Sequence, residues 1–348
     1  MDNLRRFVIV FTAVIFLTLA VCGFILAKNF NETAKTKTVD LNVNANVYDP
    51  NKPQDFELGK FNENVLFVIG DKDSNPSELT ILMNVNTETN ELSFMYFPRQ
   101  FKYATLADRS VGNMGMICRK KGISKAADII ASQYEISVDN YIYMECELFA
   151  EFIDLFVKSE NPNNITTSDG QLILDATNAI EYELFVDLKY KSGKYNIDLG
   201  RNTKFFTGKE AVQLIQFYRT QNNEYPSDML KYYDGTDGKR IVAAQAFLDA
   251  FLSQKLLKTG SETFADEFQA KLTPLLSKCE TNLTEHNLKQ IGTMLTRIIP
   301  DDICYYIING NDQYLDQHYI VYNDTVTDLK SNSVLDGATT FRDKFYVN

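Results

Sequence analysis

Apolar and polar positions come in blocks between Asn64 and Gln100. The runs N-V-L-F-V-I-G, L-T-I-L-M-N-V-N and L-S-F-M-Y-F are apolar, β-branched and aromatic. D-K-D-S-N-P-S-E and T-E-T-N separate them. Runs of this make-up between turn-forming residues predict three strands. Two charged loops fall at strand ends, Gly70 to Glu78 and Pro98-Arg99-Gln100, and α/β sheets place their chemistry at strand ends.

Further along, the period lengthens to that of a helix. After a loop from Phe101 to Gly122, Ala127, Ile130 and Tyr134 share one face of a predicted helix with Ser124 as its N-cap. Val138 to Met144 reads as a strand, Glu147 to Val157 as a helix, and Glu160 to Asp169 as a polar loop. The β-branched and Tyr content of Leu172 to Leu199 predicts two strands. Helices are predicted over Thr207–Tyr218, Lys239–Leu257, Phe264–Ser277 and Thr284–Ile298, and short strands near Cys304–Ile308 and Tyr319–Tyr322. Strands interleaved with helices imply an α/β fold whose sheet is covered on both faces.

One segment breaks the pattern. Phe7 to Ala27 is uncharged and almost wholly apolar, and at a rise of about 1.5 Å per residue it spans roughly 30 Å, one hydrocarbon core. Arg5 and Arg6 before it favour an inside N-terminus and an exported domain. A cleaved signal peptide wants a shorter core and small residues at the cut, which Phe24-Ile25-Leu26 do not supply. A lipoprotein site at Cys22 meets a bulky Val21 and an apolar run that continues past it. The expected organisation is a cytoplasmic tail (1–6), a single transmembrane anchor (7–27), a polar spacer (28–60), one domain (61–328) and a C-terminal tail (329–348). The expected location is therefore the cell membrane, single-pass, with the domain outside.

Charge and composition narrow the chemistry. A net charge of -11 without a dense Lys/Arg run excludes nucleic acid as the partner. Cys118, Cys146, Cys279 and Cys304 lack C-x-x-C spacing, which disfavours a zinc site; they leave either two local disulfides or buried free thiols. His286 and His318 are the only histidines, and no serine or cysteine elbow accompanies them. No phosphate-binding glycine loop is present. What remains is arginine beside carboxylate. Beyond the anchor the arginines are Arg99, Arg109, Arg119, Arg201, Arg219, Arg240, Arg297 and Arg342. Guanidinium recognises phosphate through two parallel donors, and carboxylates beside it can hold Mg²⁺ against phosphate oxygens.

The order of these segments resembles the LytR-CpsA-Psr (LCP) family of membrane-anchored cell-wall proteins. V-I-G-D-K-D-S, P-S-E-L-T-I-L-M and Y-F-P-R-Q are similar to that family's Gly-x-Asp-x-Arg, Arg-Ser-Asp-Thr and Ile-Pro-Arg-Asp segments. F-T-G-K-E-A-V-Q-L-I-Q-F-Y-R-T-Q and D-G-K-R-I-V-A-A-Q resemble its Leu-x-Gly-x-x-Ala…Arg-x-Arg and Asp-x-Gly-Arg-Ile-x-Arg-Gln segments. The resemblance covers roughly Phe61 to Asp328. It implies a three-layer α/β/α sandwich with a central mixed sheet and an apolar tunnel for a polyprenyl chain. It also implies a Mg²⁺-dependent phosphotransferase moving a glycopolymer from a polyprenyl-pyrophosphate carrier to peptidoglycan. On that likeness Arg99, Arg219, Arg240 and Lys72 grip phosphate, Asp237 supports them, and Asp73 and Glu78 are the metal ligands. The departures are several. Lys72 stands at the first acidic position, Pro76 and Gln221 stand where arginines belong, Gln100 replaces an Asp, and Ala243-Ala244 replace Arg-Gln. An alternative reading keeps the fold and drops the chemistry, leaving a scaffold that binds lipid carrier or glycan.

Overall fold

The computed structural model describes residues 61–73, 77–105, 110–157, 175–176, 178–309 and 325–347. The chain divides into units 1–57 and 58–348, and all described residues belong to the second. The anchor expected at Phe7–Ala27, Arg109, the loop 160–169 and the strand 319–322 lie outside the described residues. Among those described, no helix is long and apolar enough to cross a membrane.

The three predicted strands form as β1 (Asn62–Gly70), β2 (Leu79–Asn86) and β3 (Glu91–Phe97). They make an antiparallel meander with Ile69 opposite Leu79 and Asn86 opposite Glu91. Asn90 adopts a left-handed φ of 53° in the turn before β3, a conformation asparagine tolerates. The region predicted as one loop from Phe101 instead holds a hairpin, β4 (Lys102–Thr105) with β5 (Ser110–Asn113), and the start of helix α1 (Ile117–Tyr134). Gly122 kinks α1 with φ 74°, so the predicted cap Ser124 sits inside the run, just past the kink.

The chain continues through β6 (Asn140–Glu145), α2 (Cys146–Val157), β7 (Ile180–Glu181), β8 (Leu188–Ser192), β9 (Tyr195–Leu199) and β10 (Phe205–Phe206). Then come α3 (Gly208–Gln216), α4 (Asp237–Phe251), α5 (Phe264–Leu276), β11 (Glu280–Thr281), α6 (Glu285–Leu295) and β12 (Ile303–Ile308). Helix α4 runs into a π-helical turn at Leu252–Leu256. The expected tail is no tail: β13 (Thr325–Asp328), β14 (Ser333–Asp336) and α7 (Gly337–Phe345) complete the domain. Burial of Phe341 and Phe345 holds α7 in place.

Eight strands form one sheet in the order β11-β6-β1-β2-β3-β12-β13-β14. β6 lies parallel to β1 and β12 parallel to β3, while the other pairs run antiparallel. Alternation along the strands feeds two cores. Leu66, Val68, Met95 and Phe97 pack with Ile117 and Ile130 of α1 and Phe341 and Phe345 of α7. Ile69, Ile81 and Tyr96 face the other way, against Phe149, Ile153, Leu214, Phe247 and Phe268. Helices cover both faces of a mixed sheet, as the alternation predicts.

Candidate functional site

The ends of β1 and β3 and the start of β2 share one edge of the sheet, and they carry the charged loops there. Arg99 follows β3 in a turn closed by Phe101 N–H on the Pro98 carbonyl at 2.9 Å. Gly115 packs beneath it, donating its N–H to the Arg99 carbonyl at 2.9 Å, and a Cβ there would sit 3.1 Å from Arg99 Cβ. Glu78 immediately precedes β2 and is fully buried. Asp237 is the first residue of α4, after the N-cap Thr236, and Arg240 lies one turn on along the same face.

These four side chains form one network. Arg99 Nη1 donates to Glu78 Oε2 at 2.8 Å and its Nε to Asp237 Oδ1 at 3.1 Å, while its backbone N–H donates to Asp237 Oδ2. Arg240 Nε reaches the same Asp237 Oδ1 at 2.6 Å, and its Nη1 donates to the Ile215 carbonyl at 2.9 Å. Arg240 Nη2 is buried and has no partner. Burial pushes the Asp237 carboxyl up, but Arg240 and Arg99 outweigh it and hold the group down at about 2.

The β8–β9 hairpin, with Tyr190 and Tyr195, and Tyr218 after α3 complete the surface. Tyr195 of β9 donates its hydroxyl to Glu78 Oε1 at 2.8 Å. Arg219 donates through Nε and Nη2 to the Tyr190 hydroxyl at 3.2 and 2.8 Å. The guanidinium groups of Arg99 and Arg219 lie 4.7 and 5.1 Å from the Tyr218 ring. One aromatic ring thus holds two like charges near each other, through the attraction of each cation for its π-electrons. At the hairpin turn Lys194 pairs with Asp71 in the loop after β1. The three arginines exceed the two carboxylates they touch by one positive charge, in a chain whose net charge is -11.

Sequence reasoning picked out Arg99, Arg219, Arg240, Asp237 and Glu78, and the structure brings them together. Lys72 points elsewhere: its Nζ donates to Glu280 at 3.1 Å and lies 5.1 Å from the Tyr143 ring. Asp73 is exposed, and its backbone N–H donates to Asp71 Oδ1 at 3.0 Å. The donor set fits Mg²⁺ poorly. Both Glu78 oxygens already accept hydrogen bonds, and Asp237 is bound by two arginines. Among the described residues no group of three or more His, Cys, Asp or Glu side chains converges as metal ligands. Tyr190, Tyr195, Tyr218, Asp71 and Lys194 were missed. For Tyr190, Lys194 and Tyr195 the sequence signal is the K-Y-K-S-G-K-Y pattern, a hairpin with glycine at its turn.

Behind the network, on the same face of the sheet as Ile81 and Tyr96, lies an apolar cavity of about 170 Å³. Phe67, Ile81, Tyr96 and Met144 floor it, and Leu272 of α5 and Ile291 of α6 help to roof it. Tyr96, on the cavity floor, precedes Arg99 by three residues along the chain. The four described cysteines are free thiols.

The LytR_cpsA_psr family model matches residues 26–334. The chain belongs to the LytR-CpsA-Psr family. Membership gives it a role tied to cell-wall glycopolymers, in a family typically associated with the membrane of the cell envelope. Among solved structures the fold is similar to TagV of B. subtilis, at TM-score 0.57 and 14% identity over 83% of this chain and 99% of that one. It is also similar to protein EF0465 of Enterococcus faecalis, described as a transcriptional regulator (TM-score 0.52, 12% identity, 82% and 87% covered). Protein gbs0355 of Streptococcus agalactiae gives TM-score 0.51 and 15% identity over 73% and 80%. Identities this low establish the shared fold. Among curated proteins, sequence comparison finds no match.

Proposed function

We propose that this LCP protein binds a glycopolymer linked to polyprenyl pyrophosphate and transfers it to peptidoglycan at the outer face of the membrane. The observation that carries the reading is the Arg99–Arg219–Arg240 cluster, in which the buried Arg240 Nη2 has no partner, together with an apolar cavity on the sheet face behind it. A buried donor without a partner is what a phosphate oxygen would satisfy. The cavity takes the first part of the lipid tail; apolar voids of this size stay dry and accept small apolar groups.

In the transfer, an acceptor hydroxyl of peptidoglycan attacks the phosphorus that carries the glycan. The bond from that phosphorus to the bridging oxygen breaks, and polyprenyl monophosphate leaves with the electron pair. The arginines stabilise the charge that builds on the phosphoryl oxygens, which is most of what catalysis of this reaction requires. Asp237, held at about 2, is too weak a base to take the hydroxyl proton near neutral pH, so that proton passes to water.

Full-length protein in detergent, titrated with farnesyl pyrophosphate, tests the binding. Arg99→Ala and Arg219→Ala each weaken it by about tenfold or more, since a charged hydrogen bond contributes roughly 1.5–3 kcal/mol. Absence of saturable binding by the wild type would end the proposal. Release of polyprenyl monophosphate from a lipid-linked glycan, measured with and without Mg²⁺, then separates transfer from binding alone.

A further inference from the structure

Glu78 lies just before β2 and Asp237 in the first turn of α4, yet both direct their carboxylates at one cation. Arg99 spans them, with Nη1 on Glu78 at 2.8 Å and Nε on Asp237 at 3.1 Å. Two buried carboxylates brought together from separate elements are the usual makings of a divalent-cation site. Here a guanidinium fills that place. The Arg99 side chain is 15% exposed, and those of Glu78 and Asp237 are 0% and 4% exposed. Burial works against the charge on Arg99, but Asp237 and Glu78 outweigh it and raise its pKa above the ordinary value.

Every carboxylate oxygen of the pair is in use. Mg²⁺ demands near-octahedral oxygen ligands at about 2.0–2.1 Å. Glu78 Oε2 already accepts from Arg99 and its Oε1 from Tyr195. Asp237 Oδ1 accepts from Arg99 and Arg240 together, and its Oδ2 from the Arg99 backbone N–H. In the loop after β1, Asp71 pairs with Lys194, and Lys72 with Glu280. To bind at Glu78 or Asp237 a metal would have to expel Arg99. It would also set two like charges side by side in a buried place, where repulsion is weakly screened.

We infer that Arg99 stands in for a divalent cation: it is the built-in counter-ion of Glu78 and Asp237, and the site takes free pyrophosphate rather than its Mg²⁺ complex. The inference deepens the proposed function and rests on it only for the identity of the ligand. Mn²⁺ is the probe, because it suits the same oxygen ligands as Mg²⁺ and its EPR signal broadens away on binding. It is titrated into full-length protein in detergent, without pyrophosphate. Wild type leaves the signal of free Mn²⁺ undiminished. Arg99→Ala uncovers Glu78 and Asp237 and binds Mn²⁺ saturably, and adding Glu78→Gln to it abolishes that binding. Circular dichroism establishes that both variants are folded. A second titration needs no variant: inorganic pyrophosphate is added to wild type in EDTA and in excess Mg²⁺. Affinity in EDTA equals or exceeds that in Mg²⁺, since the metal competes with the arginines for phosphate oxygens. The inference falls if wild type binds Mn²⁺ saturably, if folded Arg99→Ala gains no site for it, or if Mg²⁺ tightens pyrophosphate binding by about tenfold or more. Pyrophosphate that binds in neither buffer overturns the proposed function, and the Mn²⁺ titration still decides the place of Arg99.

Discussion

Asp237 is the residue on which the site turns, because one carboxylate neutralises two guanidiniums, Arg99 and Arg240, in a buried place. Asp237→Asn leaves Arg240 without its anion and Arg99 with Glu78 alone. Breaking a buried pair in this way costs about 3–5 kcal/mol, to be read as a lower denaturation midpoint. The same geometry sets a pH dependence. The folded carboxyl sits at about 2 against an ordinary 3.8. Its contribution is therefore fully present above about pH 4 and is lost as the pH falls toward 2, amounting to about 2 kcal/mol. Denaturant titrations at pH 5, 3 and 2 show that slope in the wild type, and Asp237→Asn lacks this part of it. Asp237 and Arg240 were legible through the resemblance of D-G-K-R-I-V-A-A-Q to the family's segment, although the helix was expected to begin at Lys239 and in fact begins at Asp237. The Tyr195–Glu78 bond was not legible, because it joins positions 117 residues apart and only the tertiary fold brings them together.

At the scale of elements, helix α3 is fixed by a backbone approach that permits no side chain. A Cβ on Gly208 would lie 2.0 Å from the Ala150 carbonyl oxygen of α2, and the Gly208 N–H donates to Asp154 Oδ1 at 2.8 Å. Gly208→Ala must push α3 off α2, at a cost of about 1–3 kcal/mol or more. Chemical denaturation reads it as a lower midpoint at unchanged slope. Because Arg219 follows α3 by three residues, farnesyl pyrophosphate binding weakens with it. Long periodic segments such as α4 and α5 could be read from apolar spacing alone. The hairpin β4–β5 could not, since its strands are only four residues each and show no sustained alternation. The expected C-terminal tail failed for a similar reason: Phe341 and Phe345 show as helix anchors only once the sheet face they cover is known.

For the whole molecule, the two faces of the sheet carry unequal loads. The face under α1 and α7 packs with apolar side chains from the sheet and both helices, while the opposite face, under α5 and α6, keeps the cavity of about 170 Å³. A void lined by apolar groups costs stability in proportion to its volume, so filling it should stabilise the protein while blocking any ligand tail. Ile291→Phe on α6 adds volume at the cavity wall from a partly buried position. The variant unfolds at a higher denaturant concentration than wild type. Its affinity for inorganic pyrophosphate, which touches only the arginines, stays unchanged. Farnesyl pyrophosphate, whose tail contributes about 0.8 kcal/mol per buried CH₂, loses tenfold or more. A variant that weakened both ligands alike would place the lipid tail outside this cavity and separate the two halves of the site.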